Sequence, residues 1–125
     1  MEKVNIPEGC NQVMPYLIIN NAVGFLQFAK DVFGAVEQMK HMRDENTIMH
    51  AQIGIGDSVI MFADATDEYP SSPAGMFIYV ANADATYDKA ISLGATSVLP
   101  MCDQPYGRTG GVKDPHGNTW WVTSV

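Results

Sequence analysis

The segment YGRTGGVKDPHGNTWWV, residues 106–122, predicts two antiparallel strands joined by a turn. Gly117-Asn118 is the pair that makes the turn, because glycine and asparagine tolerate the left-handed backbone that tight hairpins require. The same signal occurs at Gly56-Asp57, between two further strand-like segments. The two turns lie 61 positions apart, so the second half of the chain is predicted to repeat the first.

Other landmarks obey the same offset or one close to it. Asn21 and Asn82 each precede a predicted helix, and Tyr16 corresponds to Phe77, in both cases 61 positions apart. The glycine-alanine pairs that end the two helices begin at positions 34 and 94, so one residue is lost inside the second helix. Matching breakers in matching order favour duplication of one unit over chance.

Each unit is predicted to contain one strand, one helix and three further strands. Segment 64–74, with acidic residues, serines and prolines, is interpreted as a linker, and residues 1–10 as a short arm. The fold prediction is α+β: two tandem βαβββ units, about residues 12–64 and 75–125, in a single domain 1–125. The predicted elements are strand 13–19, helix 22–33 and strands 36–42, 48–55 and 58–63, then strand 76–81, helix 82–93 and strands 96–101, 107–113 and 119–124.

Such a unit is a curved sheet with a helix on one face, and its other face is left apolar and uncovered. Pairing two units is expected to create a cleft between the sheets, and ligand pockets favour such interfaces.

Composition excludes several classes of protein. The chain has 125 residues, 46% of them hydrophobic and 17% charged, which is typical of a folded domain rather than a disordered one. The net charge of −7 disfavours nucleic-acid binding and is compatible with a cationic ligand. No apolar run is long enough for a membrane helix. Cys10 and Cys102 are not spaced as a metal or redox pair, and no signal peptide precedes them, so a cytoplasmic location is expected.

The motifs together resemble the vicinal oxygen chelate superfamily, which includes glyoxalase I, extradiol dioxygenases, fosfomycin-resistance enzymes and bleomycin-binding proteins. The resemblance covers about residues 12–125, is similar in detail to the PhnB-like branch, and is specific for the fold rather than for a reaction. It implies a homodimer, often with clefts shared between chains. The residues that carry it are Pro15-Tyr16-Leu17, Val32-Phe33-Gly34, Met49-His50-Ala51, residues 55–58 (IGDS) and residues 114–121 (DPHGNTWW).

The resemblance also implies where a metal would bind. Metal enzymes of the superfamily hold a divalent ion with one side chain from the first and one from the last strand of each unit, usually His, Glu or Gln. Alternation along the strands places these positions at Met14, Ile60, Gly75 and Trp121. None of these side chains is a ligand for a hard cation, so neither a metal nor another cofactor is predicted.

The polar residues that could take part in binding or catalysis lie outside these four positions. His50 and Gln52 are two residues apart on a strand and should share a face, where they could bind a ligand or move a proton. The alternative is a polar pair without chemistry, and relatives of the branch often carry Glu at the position of Gln52. His41 and His116 are expected to be exposed to solvent. Arg108 is either an anion-binding residue or a surface charge.

Aromatic side chains predicted to face the cleft could stack on a flat ligand. Some of them only fill the core, as Trp120 or Trp121 must, because adjacent strand residues face opposite ways. The predicted ligand-binding residues are Met14, Tyr16, His50, Gln52, Phe77, Tyr79, Tyr106, Arg108 and Trp121.

Three functions follow as hypotheses, and the residues leave open whether the protein is an enzyme. The first is a metal-free member that binds a flat or cationic small molecule and confers resistance or carriage by sequestration. The second is a metal-dependent lyase or isomerase of the glyoxalase type that uses His50 and Gln52. The third is a structural dimer without a ligand.

Overall fold

The computed structural model describes residues 2–125 and contains two similar halves, each with one helix and four strands. The first half has β1 (Tyr16–Ile19), α1 (Ala22–Phe33), β2 (Val36–Met42), β3 (Ile48–Ile55) and β4 (Ser58–Asp64). The second half has β5 (Gly75–Tyr79), α2 (Ala83–Ser92), β6 (Thr96–Gln104), β7 (Gly107–Lys113) and β8 (Thr119–Ser124).

Each half forms its own four-stranded mixed sheet. The strand orders are β1-β4-β3-β2 and β5-β8-β7-β6. The first strand of each half pairs in parallel with the last, and the remaining pairs are antiparallel. The predicted α+β fold of two βαβββ units is therefore confirmed.

Both helices begin at an asparagine. The side chain of Asn21 accepts a hydrogen bond from the backbone N–H of Gly24, and that of Asn82 accepts one from Ala85. Gly34 ends α1 with a left-handed φ of 69°. In the residues described, neither helix is long and apolar enough to cross a membrane.

Three predicted boundaries were wrong by two or three residues. β1 begins only at Tyr16, because Pro15 before it has no N–H for a strand ladder. β5 ends at Tyr79, two residues before its predicted end, whereas α2 is only one residue shorter at each end, since Asn82 and Leu93 are its caps. β6 continues to Gln104, because its pairing with β7 runs on to the Gln104–Gly107 end of the hairpin.

The two halves share one hydrophobic core on the helix side of the sheets. It contains Leu17, Ile19 and Phe25 of the first half together with Trp120 and Val122 of the second, all at most 1% exposed. The rings of Phe33 and Trp120 meet across the junction with centroids 4.3 Å apart. The opposite surface of both sheets, here called the open face, is left without this cover.

The corresponding hairpins are not equal in length. Gly56-Asp57 alone connects β3 to β4, whereas residues 114–118 form a five-residue connection between β7 and β8. In consequence Met61, which pairs with Tyr16, corresponds to Trp121, which pairs with Phe77. The placement of Ile60 on the open face was wrong: Ile60 is 6% exposed and lies in the shared core.

Candidate ligand-binding face

Side-chain exposure separates the open face from the core along each strand. In β1, Tyr16 is 47% exposed, whereas its neighbour Leu17 is 1% exposed. In β8, Trp120 is 1% exposed and Trp121 is half-buried on the other side of the sheet. Adjacent strand residues face opposite ways, so the two tryptophans belong to two different environments.

The second half contributes aromatic side chains to the open face. Trp121 pairs with Gly111 of β7, and a Cβ built on Gly111 would fall 2.5 Å from Cζ3 of the indole. The indole therefore lies over a residue without a side chain, and it is half-buried there, so part of the ring remains accessible. Phe77 is the register partner of Trp121 on the other side, so it lies next to the indole.

Two tyrosines extend this aromatic cluster. Tyr79 packs edge-on against Phe77 with centroids 5.2 Å apart, and Tyr106 lies 6.2 Å from Phe77. Phe77, Tyr79 and Tyr106 are each at least half exposed. Solvent-exposed aromatic rings in one cluster are typical of a surface that binds a partner or a ligand.

The first half contributes polar side chains. Tyr16 Oη and His50 Nδ1 are 3.0 Å apart, a hydrogen bond in which either group can donate, depending on the tautomer of His50. Gln52 is 7% exposed and its Nε2 donates to Gln38 Oε1 at 2.8 Å. Tyr16 and His50 thus offer polar atoms at the surface, whereas the amide of Gln52 is already engaged.

The N-terminal arm covers part of this polar half. Gln52 Nε2 lies 3.6 Å from Cys10 Sγ, and Cys10 is half-buried. The sequence does not indicate this contact, because residues 1–10 have no hydrophobic periodicity that would place them on the sheet. Met14, between the arm and β1, is half-buried two residues before the strand begins at Tyr16.

Arg108 is engaged in ion pairs within the chain. Its Nη2 lies 3.0 Å from Asp84 Oδ1, its Nε donates to Asp84 Oδ2, and its Nη1 lies 3.4 Å from Asp103 Oδ1. The bidentate hydrogen bonds from Arg108 hold the pKa of Asp84 below its ordinary value, and they raise the pKa of the guanidinium. An anionic ligand would have to compete with these carboxylates.

The other two histidines differ in their surroundings. His41 is exposed, as predicted, and is the register partner of His50 on β2. His116 is partly exposed in its turn, but it is not fully solvated as expected, because its ring packs edge-on against Phe25 and its Nδ1 lies 3.1 Å from the carbonyl oxygen of Asn20. His116 therefore joins the second half to the start of α1.

The side chains present do not fit the divalent ion of the metal enzymes with this fold. After the register correction the four positions are Met14, Met61, Gly75 and Trp121, and thioether or indole groups are poor ligands for hard cations. Over residues 2–125, no group of three or more His, Cys, Asp and Glu side chains is placed to hold a metal ion.

A buried carboxylate was also missed. Asp114 is 3% exposed and accepts hydrogen bonds from the backbone of His116 and Asn118, from Asn118 Nδ2, and from Trp120 Nε1 at 2.8 Å. All its acceptor capacity serves the β7–β8 connection, so its role is structural. The run DPHGN was visible in the sequence, but only the fold shows that Trp120 is the fourth donor.

Comparison with known proteins agrees with this architecture. An uncharacterized protein of Mycobacterium bovis is 29% identical over 118 residues, covering 85% of this chain and 78% of its own. TioX from Micromonospora sp. ML1 superposes with a TM-score of 0.75 at 20% identity, covering 92% of this chain and 98% of its own. TnmS3, an antibiotic binding protein from Streptomyces sp. CB03234, superposes with a TM-score of 0.70 at 16% identity, covering 92% and 96%.

A family model matches residues 11–122, which span both βαβββ units as far as Val122 of the last strand. The duplicated unit, the sheet order and this match agree, and the chain belongs to the Glyoxalase/Bleomycin resistance protein/Dioxygenase superfamily.

Proposed function

We propose that this protein binds a flat aromatic small molecule on its open face and sequesters it without using a metal. One observation carries the proposal. The indole of Trp121 lies over Gly111, on the strand next to Phe77, and is only half-buried, so part of the ring is available to stack on a second ring system. The description of TnmS3 as an antibiotic binding protein gives a precedent for such binding on this fold.

The polar half of the open face suits the rim of the same ligand. Tyr16 and His50 supply one hydrogen-bonded pair beside an otherwise apolar surface, a common pattern in small-molecule sites. The net charge of −7 favours a cationic ligand over an anionic one, and Arg108 is already paired. Met14, Gln52 and Tyr106 would border the ligand rather than anchor it.

We propose further that the protein is a homodimer in which a second copy covers part of the open face. The supporting observation is the exposure of Tyr16, Phe77, Tyr79 and Tyr106, each between 47% and 65%. Closed two-fold pairing is the commonest way to cover such a surface. Sedimentation velocity at micromolar concentration tests this, and a monomer would contradict it.

We also propose that the protein belongs to the PhnB-like branch of the superfamily and that it is located in the cytoplasm. The PhnB-like branch rests on the motifs at residues 15–17, 32–34, 49–51, 55–58 and 114–121. A cytoplasmic location is consistent with Cys10 and Cys102, both of which are free thiols.

The test uses two ring systems of matched shape and opposite charge, 9-aminoacridine and anthracene-9-carboxylate. We expect 9-aminoacridine to bind more tightly in a fluorescence titration, and Trp121→Leu to weaken its binding by about tenfold, the loss of a stacked aromatic contact. Tyr69→Leu is the matched control, because Tyr69 is an exposed aromatic residue on the segment between the two units. Equal binding by wild type and Trp121→Leu contradicts the proposal.

The metal-enzyme alternative is tested on the same preparation. A glyoxalase-type lyase requires stoichiometric metal, so zinc and nickel are measured by elemental analysis and titrated in a thermal-shift assay. We expect neither metal to raise the melting temperature. Stoichiometric metal together with a large stabilisation overturns the metal-free assignment.

A further inference from the structure

A cavity of about 930 Å³ opens at the junction of the two halves and reaches the edge of the aromatic cluster on the open face. Its walls come from the end of α1, the β3–β4 turn, β5 and the start of α2. We call it the joint groove. Only Phe77 and Tyr79 of the predicted ligand-binding residues border it, through the strand they share with its wall.

The floor of the joint groove is apolar. It consists of Phe33, Ile60, Met76, Ile78, Val80 and Trp120. The indole N–H of Trp120 is already bonded to Asp114, so the floor has no free donor from this ring. Such a floor favours a ligand with an apolar body.

The polar groups at the rim select for charge. Asp57 lies there, exposed in the two-residue β3–β4 turn, together with Ser58, Thr86 and Asn11. In the part of the chain that the structure describes, none of the groove residues is Lys or Arg. A positively charged group at the rim would meet a carboxylate and no competing cation.

The backbone of β5 adds hydrogen-bonding groups. The Val80 N–H donates to the Thr123 carbonyl, and the Ala74 carbonyl accepts from the Thr119 N–H. The backbone N–H and C=O groups of even-numbered residues in and beside β5 therefore point toward β8. Backbone groups alternate sides along a strand, and those of Phe77 and Tyr79 therefore point to the free edge that borders the groove.

We propose that the joint groove is a second ligand site, which takes a small compound with an apolar body and one positive charge. The site goes beyond the proposed function, because Trp120 borders the groove whereas Trp121, on the open face, does not, although Phe77 and Tyr79 lie at the boundary of both. The two adjacent tryptophans thus provide separate reporters for the two sites.

The experiment uses the single-tryptophan variant Trp121→Phe and follows the fluorescence of Trp120. The probes are octyltrimethylammonium, octanol and octanoate, which share a chain and differ in head-group charge, used below their micelle-forming concentrations. We expect saturable binding of octyltrimethylammonium, with octanoate at least about fivefold weaker because of repulsion by Asp57. Asp57→Asn should weaken octyltrimethylammonium by about twofold to fivefold.

Two matched controls keep the result interpretable. Glu45→Gln removes one negative charge at the opposite end of β3 from Asp57 and should leave octyltrimethylammonium binding unchanged. Val80→Trp should fill the groove and abolish binding, whereas Val98→Trp, on exposed β6, should not. Circular dichroism is recorded for each variant, so that a misfolded protein is not scored as a loss of binding.

Three outcomes overturn the second site. They are an unchanged Trp120 signal in folded Trp121→Phe, binding of octanoate equal to that of octyltrimethylammonium, and retained binding in folded Val80→Trp. Loss of 9-aminoacridine binding in Trp121→Phe with retained octyltrimethylammonium binding supports two separate sites. Failure of 9-aminoacridine to bind wild type affects only the proposed function of the open face.

Discussion

The indole of Trp121 lies directly over Gly111, since a Cβ at this glycine would fall 2.5 Å from Cζ3 and 2.7 Å from Cε3 of the ring. Gly111→Ala must therefore displace the indole or bend the sheet. We expect the free energy of unfolding to fall by about 1–3 kcal/mol, the usual effect of overpacking, and binding of 9-aminoacridine to weaken. Urea denaturation and fluorescence titration measure the two effects.

Gly75→Ala is the matched control for that substitution. Gly75 is also a glycine in a strand on the open face, but a Cβ built there meets no atom within 4 Å. We expect its unfolding midpoint and its ligand affinity to stay close to those of wild type. Equal effects of the two alanines would show that the Trp121–Gly111 contact is not what determines either property.

The sequence predicted the two units that bring Trp121 and Gly111 together, but not every strand register within them. The repeat of Gly56-Asp57 at Gly117-Asn118 predicted the two units, because breakers and caps act through local backbone geometry. It did not predict the register of β4, because one connection has two residues and the other five. A one-residue shift moves a strand residue to the other face, and Ile60 was assigned to the wrong side for this reason.

The candidate site was predictable to a similar extent. The alternation of side chains along each strand was sufficient to place Tyr16, Phe77 and Trp121 on the open face. The Cys10–Gln52 contact and the Arg108–Asp84 ion pair join residues 42 and 24 positions apart, and no local pattern encodes them. The joint groove was missed for the same reason, since it exists only where the two halves pack together.

The hydrogen bond between Tyr16 and His50 predicts a selective loss of binding. Tyr16→Phe removes Oη but keeps the ring, so the face retains its shape and loses one polar anchor. Because the pair is exposed, we expect unfolding free energy to change by less than about 1 kcal/mol. Binding of 9-aminoacridine should weaken by about threefold to tenfold in a fluorescence titration, the range typical of one hydrogen bond.

His50→Phe is the companion variant for this prediction. If the pair acts as a unit, Tyr16→Phe with His50→Phe should bind 9-aminoacridine no more weakly than either single variant. Additive losses in the double variant would show that the two side chains act independently.

The ion pair of Arg108 with Asp84 predicts a pH dependence. Hydrogen bonding to Arg108 lowers the pKa of Asp84 in the folded protein. The stabilisation is therefore fully present above the pKa of the carboxyl in the unfolded chain, and it is lost as the pH falls through the lower folded value. Between pH 5 and about pH 3, the range in which an ordinary carboxyl titrates, the free energy of unfolding should fall less for Asp84→Asn than for wild type.

Urea denaturation at a series of pH values measures this difference. Asp88→Asn is the control, because Asp88 is an exposed aspartate on the same helix. Its stability profile should run parallel to that of wild type. A parallel profile for Asp84→Asn as well would mean that the Arg108 pair contributes nothing to folding.

Asp114 predicts the largest loss of stability. Its buried carboxylate accepts from two backbone N–H groups, from Asn118 Nδ2 and from Trp120 Nε1. Asp114→Asn replaces one acceptor oxygen by a donor that faces other donors, and leaves at least one buried N–H without a partner. We expect the free energy of unfolding to fall by at least about 1–3 kcal/mol, because an unsatisfied buried group retains its full desolvation penalty. The exposed Asp67→Asn is the matched control, and equal urea midpoints for the two variants would refute the structural role of Asp114.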